Sequence, residues 1–284
     1  LCVRRPSRKT PPCRRLTASA SVGRTRRLAP SLWRVHLGLM TEAARPETKL
    51  QIRIVPVTPL QQNCSLIWDT NTKHAAFVDP GGDIDTLIGA LDHFGLTLKH
   101  IWLTHGHLDH AGAAYELRER TGVPVVGPHK DDQFWLDQIE SSAVKYGLSG
   151  LKNVTPDRYL EDGDVLELEG VKFDVSHTPG HTPGHVVIHN RDAKIAFVGD
   201  VLFQSSIGRT DFPRGNHQQL IDSITDKLWP LGDDMTFVPG HGATSTFGQE
   251  RRTNPFVADA VTGYGGAEKR DGSSYDQKTA KRYT

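Results

Sequence analysis

The chain has 284 residues, 37% of them hydrophobic, and a formal net charge of +1 at pH 7. This size allows one large domain or two small ones with a sizeable core, and the near-neutral charge favours no charged partner. No apolar run approaches the roughly 18 residues of a membrane span, and the single central cysteine, Cys64, has no partner there for a disulfide. We therefore expect a protein of a reducing compartment, the cytoplasm, without membrane attachment.

The two ends of the chain differ in composition from its centre. Residues 1–41 contain many arginines and no Asp or Glu, so residues 1–48 are predicted to form a basic disordered arm. The arm is upstream sequence that is not native, a transit peptide for an organelle, or a nucleic-acid-binding segment. The first methionine, Met40, stands just before the first predicted strand, which favours the first interpretation for residues 1–39. Residues 259–284, rich in Gly, Ser, Lys and Asp, are predicted to be a disordered tail.

Residues 49–258 are predicted to form one domain of alternating strands and helices. Strands are predicted at 50–57, 63–68, 74–79, 100–103, 123–126, 164–175 (a hairpin), 185–189, 195–198 and 235–238. Helices are predicted at 84–94, 111–120, 128–138 and 220–228; the first has a regular apolar face and a glycine at its end. Alternating strands and helices with hairpins indicate two sheets flanked by helices.

The densest group of polar side chains is the segment Thr104-His105-Gly106-His107-Leu108-Asp109-His110, which follows a predicted strand. Since alternate side chains of an extended segment share a face, His105 and His107 can reach one metal ion. Asp109 and His110 stand where the next helix begins and can turn to a second ion. Histidines at a surface are the ordinary alternative, but their density here favours a metal site. Imidazole with carboxylate suits Zn, Fe or Mn.

Three further candidate ligands follow the cluster along the chain. His181, Asp200 and His241 each come after an apolar, strand-like run and stand at or beside a glycine. Taken singly, each could be a turn residue or a helix cap; their joint order after the cluster makes a set of seven ligands. His185 competes with His181, but it begins the next predicted strand, so we expect a structural role for it.

The motifs together resemble the metallo-β-lactamase superfamily, in particular its short glyoxalase II-like members. The resemblance covers about residues 50–257 and includes, besides the histidine motifs, the segments 62–67, 78–82, 208–213 and 254–256. It implies an α/β fold, the αββα four-layer sandwich, with the site at one edge. It also implies a ligand set: His105, His107 and His181 for one metal, Asp109, His110 and His241 for the other, and Asp200 as a bridge.

The activity that the resemblance implies is hydrolysis by a metal-bridged hydroxide. Two divalent ions, Zn being favoured and Fe or Mn also accepted, would lower the pKa of a shared water toward roughly 7 and polarise a carbonyl group. Asp109 would act in catalysis by orienting the nucleophile. The expected substrate is a small-molecule glutathione thioester, S-D-lactoylglutathione, hydrolysed to D-lactate and glutathione as in methylglyoxal detoxification. No Ser or Cys nucleophile is required, and Cys64 is interpreted as a packing residue.

Other activities of the superfamily are less favoured by the sequence. Lactamases generally lack a bridging aspartate, so Asp200 argues against them. The segment 201–240 is too short for the domain that the nucleases of the superfamily insert before their last histidine. Flavin-linked di-iron members carry a carboxylate in place of His107.

A persulfide dioxygenase remains an alternative, with a single iron at His105, His181 and Asp200. Such enzymes share the Gly-Arg-Thr-Asp-Phe segment at 208–212. Two features favour hydrolysis: the segment has no cysteine before it, and Pro-Arg-Gly follows at 213–215 as in the short hydrolases.

Substrate contacts are harder to predict than metal ligands. Longer glyoxalase II enzymes bind glutathione partly through a C-terminal helical domain, which the short segment after His241 cannot supply. Arg209 is the remaining candidate for a substrate carboxylate, because guanidinium forms bidentate pairs; a surface arginine is the alternative. Nucleic-acid binding by the basic arm is the non-enzymatic alternative. Since Trp33 is the arm's only aromatic residue and the centre has no basic stripe, we expect no nucleic-acid partner.

Overall fold

We obtained the structure as a computed structural model, and it describes residues 50–264. The predicted basic arm, residues 1–48, and most of the predicted tail lie outside the described residues. The predicted start of the tail at residue 259 is wrong, because a helix forms at Asp259–Thr262. Arg251 donates hydrogen bonds of 2.9 and 3.1 Å to the carboxylate of Asp259 and lies over the ring of Tyr264, so the packed chain extends to residue 264.

The first sheet comes from the N-terminal half of the described chain. Its strands, in spatial order, are β1 (Leu50–Val57), β2 (Gln62–Asp69), β3 (His74–Val78), β4 (Thr97–Trp102) and β5 (Val125–Val126). β1, β2 and β3 are antiparallel neighbours, and β4 and β5 extend the sheet parallel to β3. Nearly every residue of β2 and β3 is buried, as expected for strands covered on both faces.

The second sheet contains six strands from the C-terminal half. They are β6 (Val165–Leu168), β7 (Val171–His177), β8 (Val186–Asn190), β9 (Ile195–Gly199), β12 (Thr236–Pro239) and β13 (Ser245–Thr246), in the spatial order β13-β12-β9-β8-β7-β6. The β9–β12 pair is parallel and the other pairs are antiparallel. A separate two-stranded sheet contains β10 (Leu202–Phe203) and β11 (Ser206–Ile207). The predicted hairpin at 164–175 is confirmed as β6 and β7.

The helices are short and lie outside the two sheets. They are α1 (Ile84–Phe94), α2 (Leu108–Ala111), α3 (Ala114–Thr121), α4 (Gln133–Leu136), α5 (Ile139–Lys145), α6 (His217–Asp222), α7 (Phe247–Thr253) and α8 (Asp259–Thr262). Single 3-10 turns occur at Lys130–Asp132 and Trp229–Leu231, and a π-helical turn at Ser223–Leu228. Within residues 50–264, no helix has the length and apolar character needed to cross a bilayer.

Three apolar clusters show that the layers are helix, sheet, sheet, helix. In the first cluster, α1 and α3 cover the outer face of the first sheet, with Leu87 fully buried. The second cluster fills the space between the sheets, where the rings of Trp102 and Phe173 meet at 5.4 Å. The third lies on the outer face of the second sheet, where Phe237 stacks on Phe247 of α7 at 5.6 Å. The predicted αββα sandwich is confirmed.

Predicted and observed elements differ mostly where the chain bends around the edge of the sandwich. The helix predicted at 111–120 is observed as α3, which begins only at Ala114, because the Ala113 amide donates to Pro80 O at 2.9 Å and separates α3 from α2. The helix predicted at 128–138 is a 3-10 turn followed by α4. The strand predicted at 100–103 begins at Thr97. β10, β11, β13, α5, α7 and α8 were not predicted, since such short elements carry little periodicity.

The strand ends explain why chemically important residues meet at one edge. β4 ends just before the segment with His105, and β7 ends four residues before His181. Asp200 directly follows β9, and His241 follows β12. Because β9 and β12 are parallel neighbours, their carboxyl ends bring Asp200 and His241 to the same edge. The architecture therefore assembles residues far apart in sequence.

Candidate metal centre

All seven side chains predicted as ligands come together at this edge, in two groups. The three-histidine group contains His105, His107 and His181, and the mixed group contains Asp109, His110 and His241. Within each group, one nitrogen or carboxylate oxygen per residue lies within 4.8 Å of the others. Asp200 lies between the groups.

In the three-histidine group, ring nitrogens converge on one point. His105 Nε2 lies 3.2 Å from His107 Nδ1, and His181 Nε2 lies 3.0 Å from the same atom. The ring of His107 is held from outside by Trp135 and Phe212, at centroid distances of 4.6 and 4.7 Å. Three imidazoles in this arrangement can offer three ligand atoms to one ion.

Hydrogen bonds on the far side of the rings decide which nitrogens face this point. His181 Nδ1 lies 2.7 Å from the carbonyl oxygen of Arg209, which can only accept, so this nitrogen carries the proton. His105 Nδ1 lies 3.1 Å from Thr104 Oγ1, whose own proton is donated to a buried carboxylate at 2.6 Å. Both Nε2 atoms are left with lone pairs aimed toward His107. Partners of this kind orient metal-binding histidines.

The mixed group is arranged by the same rule. His241 Nε2 lies 3.0 Å from Asp109 Oδ2, and His110 Nε2 lies 3.9 Å from that oxygen. On the far side of the rings, His110 Nδ1 lies 2.9 Å from Asp79 Oδ2, and His241 Nδ1 lies 3.2 Å from the carbonyl oxygen of Leu60. The Nδ1 atoms therefore hold protons, and the Nε2 atoms face the carboxylate.

Asp200 directs one carboxylate oxygen toward each group. Its Oδ1 lies 3.3 Å from His110 Nε2, and its Oδ2 lies 3.6 Å from His181 Nε2. The residue next to His241 must be small here, because a side chain at Gly240 would collide with Asp200 and with the His110 ring. The position of Asp200 is compatible with a bridge between two ions.

Burial makes the three-histidine group electrically neutral. It is the main cause that lowers the pKa of His107 to about 3, with a further contribution from His181. Burial and then His110 hold the pKa of His105 well below its usual range. The pKa of His181 is also lowered, mainly by burial and against the attraction of Asp200. Neutral imidazole is the form that binds metals.

The mixed group is charged. Burial alone would lower the pKa of His110, but Asp200 and Asp109 outweigh it and raise that pKa well above its usual value. For His241, burial is likewise outweighed by the hydrogen bond to Asp109 and by Asp200, and the pKa is raised. Burial would raise the pKa of Asp200, yet His110 and His181 hold it low. These carboxylates require positive charge among them, which imidazolium protons or a cation can supply.

Two buried atoms that lack a hydrogen-bond partner show whether the residues fit a metal ion. Among the described residues, His110 Nε2 and Asp200 Oδ1 are buried and make no hydrogen bond, although they face each other. A buried polar atom without a partner is unfavourable by about 1–3 kcal/mol, and a cation between these two atoms would satisfy both. The nitrogen and carboxylate donor set is also one that divalent metals prefer in proteins. The residues therefore fit a metal cofactor.

Asp79 is a functional residue whose role sequence reasoning missed. It accepts hydrogen bonds from the amide and hydroxyl of Thr104 at 2.7 and 2.6 Å and from His110 Nδ1 at 2.9 Å. It thus supports His110 directly and His105 through Thr104. The available signal was an aspartate directly after a buried strand, which by itself does not reveal such contacts.

Two other supporting residues surround the ligands. His185 has the structural role predicted for it: its ring stacks on His105 at 4.7 Å, and its Nε2 accepts from the Asp200 amide at 3.1 Å. Asn63 lies in the segment 62–67 and supports the loop that carries His241. Its side-chain amide donates to Pro239 O and Gly242 O at 3.0 and 2.9 Å, on either side of the histidine at position 241.

A cleft of about 550 Å³ opens over both groups. Its apolar walls include Leu60, Trp135, Ile139, Phe203, Ile207 and Phe212. Arg209, the predicted substrate contact, lines the cleft and is exposed. Its guanidinium already makes a bidentate ion pair with Asp211 at 2.6 and 2.7 Å and lies 4.3 Å from the Phe212 ring centroid. A substrate carboxylate would have to share or replace that partner.

A four-layer sandwich with adjacent imidazole and carboxylate groups at its edge defines a class of metal-binding enzymes. The family model of the metallo-β-lactamase superfamily matches residues 57–241, and the chain belongs to this superfamily. It is an enzyme with the superfamily's hydrolase domain. The chain is 48% identical over 209 residues to hydroxyacylglutathione hydrolase GloC of Haemophilus influenzae, a match that spans 73% of this chain and 98% of that protein.

Three solved structures are similar to this chain. The B3 metallo-β-lactamase BLEG-1 is 37% identical, with a TM-score of 0.68 over 73% of this chain and 99% of its own. A di-iron-bound form of TTHA1623 is 36% identical, with a TM-score of 0.65 over 72% and 99%. ETHE1 from Myxococcus xanthus is 31% identical, with a TM-score of 0.60 over 73% and 84%.

Proposed function

We propose that the protein hydrolyses glutathione thioesters, with S-D-lactoylglutathione as substrate and D-lactate and glutathione as products. The observation that carries this proposal is the pair of ligand groups beneath a largely apolar cleft, with one oxygen of Asp200 directed at each group. The similarity to hydroxyacylglutathione hydrolase GloC supports the same substrate class.

The proposed cofactors are two divalent metal ions. His105, His107 and His181 would hold one, the mixed group would hold the other, and Asp200 would contact both. Ions in such sites lower the pKa of a water molecule and polarise a carbonyl oxygen. Zn is our first choice, and the donor set also accepts Fe or Mn.

Residues of the chain would orient the reactants in this cleft. Asp109 lines the cleft, and although burial opposes it, His110 and His241 lower its pKa, so the carboxylate stays ionised and can accept a hydrogen bond that orients the attacking water. Trp135 and Phe212 keep water from one side of the cleft and offer apolar surface to the thioester. Arg209 remains the proposed partner for a glutathione carboxylate.

A comparison of three substrates tests the proposal. Metal-loaded protein is incubated with S-D-lactoylglutathione, followed by the loss of thioester absorbance; with glutathione persulfide, followed by oxygen uptake; and with a β-lactam, followed by ring opening. We expect rapid turnover of the thioester alone. Arg209→Gln should raise KM for the thioester while leaving kcat close to the parent value.

The other two substrates represent the competing activities. Oxygen uptake without thioester cleavage would replace the hydrolase with a persulfide dioxygenase that uses one iron at His105, His181 and Asp200. The β-lactam is included because BLEG-1 is among the similar structures. Ring opening faster than thioester cleavage would make the protein a lactamase despite the bridging position of Asp200.

The basic arm and the cellular location stay predictions, since residues 1–48 lie outside the described residues. A truncated protein that begins at Met40 is expected to fold, bind metal and keep full thioesterase activity. Loss of turnover with the metals still bound would make the arm part of the catalytic protein. Tight RNA binding by the full chain at physiological salt, without thioester hydrolysis, would support the nucleic-acid alternative.

A further inference from the structure

Asp132 is a fully buried carboxylate that belongs to neither ligand group and was not singled out in the sequence. Its side chain lies between the two segments that carry the three-histidine group. One segment runs from His105 to His107, and the other from His181 to His185. Asp132 accepts hydrogen bonds from both of these segments.

The carboxylate of Asp132 joins the two segments by three hydrogen bonds. Its Oδ2 accepts from the amide of Gly106, between two ligands, at 2.8 Å. The same oxygen accepts from the hydroxyl of Thr182, next to the third ligand, at 2.7 Å. Its Oδ1 accepts from the amide of Gly184 at 2.5 Å. Both oxygens are therefore committed to holding backbone and hydroxyl groups beside the metal-binding positions.

Close packing around Asp132 leaves little room for these segments to move. A Cβ atom at Gly106 would lie 2.8 Å from the backbone oxygen of Asp132 and 2.8 Å from Cβ of Trp135. A Cβ atom at Gly184 would lie 2.5 Å from the Asp132 amide nitrogen and 2.8 Å from its Oδ1. The backbone of both segments thus approaches this one residue more closely than any side chain would permit.

We propose that Asp132 is a positioning residue that fixes the separation of the two segments and thereby sets the metal affinity of the three-histidine group. This inference rests on the ligand assignment proposed above. The mixed group depends on Asp132 much less, because His110 is held by Asp79, and His241 lies on a separate loop.

The physical reason is the narrow geometric tolerance of imidazole ligands. His107 Nδ1 and His181 Nε2 come from different segments and lie 3.0 Å apart. If the segments separate, His107 and His181 can no longer reach one ion together. Since all three ligands of this group are neutral, their own charges cannot draw them back to a displaced ion as carboxylates can. Supporting residues around metal ligands typically change affinity by about 10–100-fold.

The main test uses two substitutions of one buried hydroxyl. Thr182→Val removes the hydrogen bond to Asp132 and keeps the shape of the side chain, whereas Thr182→Ser keeps the hydroxyl and removes a methyl group. Asp132→Asn is the direct variant: an amide has one accepting oxygen and one donating nitrogen, so one of the two glycine amides would face a donor.

Metal affinity is measured on the full chain by competition of Zn²⁺ and Co²⁺ with a chelator, resolved into two binding steps, together with the Co²⁺ visible spectrum. A His181→Ala variant identifies the step that belongs to the three-histidine group. The melting temperature of metal-free protein is recorded for every variant. Leu168→Ala, in the core between the sheets and away from the ligands, serves as a control for general destabilisation.

We expect Thr182→Val to lower the metal affinity of the three-histidine group, the binding step that His181→Ala identifies, about 10–100-fold. The Co²⁺ spectrum of that step should change as well. The other binding step should keep the parent affinity. Thr182→Ser should restore the parent values, and Asp132→Asn should act in the same direction as Thr182→Val. Leu168→Ala should lower the melting temperature without changing either step.

Two results would overturn the inference, and they are distinguishable. If Thr182→Val and Asp132→Asn lower only the melting temperature, or weaken both steps equally as a destabilised core would, Asp132 is merely structural. If His181→Ala leaves both steps unchanged, the ligand assignment itself is wrong, and the positioning role fails with it. Should Asp132→Asn fail to fold, the Thr182 pair still decides between these results.

Discussion

The two ligand groups are neighbours, yet the protein holds them by different means. The three-histidine group is neutral, and the rings of Trp135 and Phe212 pack against His107. Its geometry therefore depends on packing and on the loops that carry the histidines. The mixed group contains Asp109 beside two histidines of raised pKa, so it depends on charge balance. Packing therefore fixes the geometry of the three-histidine group, whereas charge balance fixes that of the mixed group.

Both groups nevertheless face the same cleft. His107 and His181 from one group, and Asp109 and His241 from the other, line its floor. His105 and His110 lie behind them, fully buried. A substrate in the cleft would consequently contact both groups at once, which makes the link between them the most sensitive point of the site.

Replacing that link, Asp200→Ala, is expected to have the largest effect. The substitution removes the carboxylate that faces both groups, so metal content and thioesterase activity should fall together, the activity by more than the roughly 100-fold that a supporting residue changes. Metal analysis and turnover measure the effect. Asp174→Ala, an exposed strand residue, is the control. Two ions per chain in this variant would show that the two groups bind metal independently, contrary to the proposed bridging role of Asp200.

Removing one ligand from each group should separate their contributions. His181→Ala and His241→Ala are each expected to leave about one ion per chain under metal-replete conditions, because each disables one of two proposed subsites. The surroundings of the retained ion should differ: with His181→Ala it would lie beside two carboxylates, those of Asp109 and Asp200, and with His241→Ala beside three imidazoles and the single carboxylate of Asp200. Co²⁺ spectra of the two variants should therefore differ. Identical spectra would mean that the distinction between the groups has no effect on the metal.

A smaller effect is expected from the hydroxyl that orients His105. Thr104→Val removes the hydroxyl that accepts a hydrogen bond from His105 Nδ1. The metal affinity of the three-histidine group should therefore fall about 10–100-fold. Thr104→Ser keeps the hydroxyl and should behave like the parent protein. The measurement is chelator competition resolved into two steps. Asp79→Asn should weaken both steps, since Asp79 contacts both Thr104 and His110.

The same contrast explains what the sequence could predict. The segment from His105 to His110 is contiguous, and a dense local pattern of ligand residues is visible without a structure. The single residues His181, Asp200 and His241 could be predicted only from their order and from the family resemblance. Their meeting at one edge follows from the strand ends, which is a property of the topology.

The supporting residues could not be predicted in the same way. Asp79 and Asp132 are isolated aspartates, and their roles arise from hydrogen bonds to residues far away in sequence. Secondary structure shows a parallel difference. Helix α1 repeats an apolar pattern over three turns and ends at Gly95 as predicted, with φ 64°. The segment around Asp132 is shaped by contacts with the ligand loops, and a continuous helix predicted there was wrong.

The smallest expected effect concerns pH and lies outside both groups. Burial is the main cause that lowers the pKa of His189 to about 4, as it lowers the pKa values of the three-histidine group. His189 is buried on β8, where its Nε2 lies 3.1 Å from Ser176 Oγ and its Nδ1 has no partner. His189 is therefore expected to contribute to the acid destabilisation of metal-free protein, in addition to the histidines of the two ligand groups.

The sign follows from proton binding. Between pH 4 and about 6.5 the unfolded chain protonates this histidine more than the folded chain does, so stability is present above that window and is lost as the pH falls through it. From pH 7.5 to 6 the loss from His189 alone is about 0.8 kcal/mol of unfolding free energy. In metal-free protein, His189→Gln should lose less unfolding free energy than the parent between these two pH values, by the amount that His189 contributes. Urea unfolding at both pH values measures the difference. If parent and variant lose equal stability, His189 makes no contribution to the acid response.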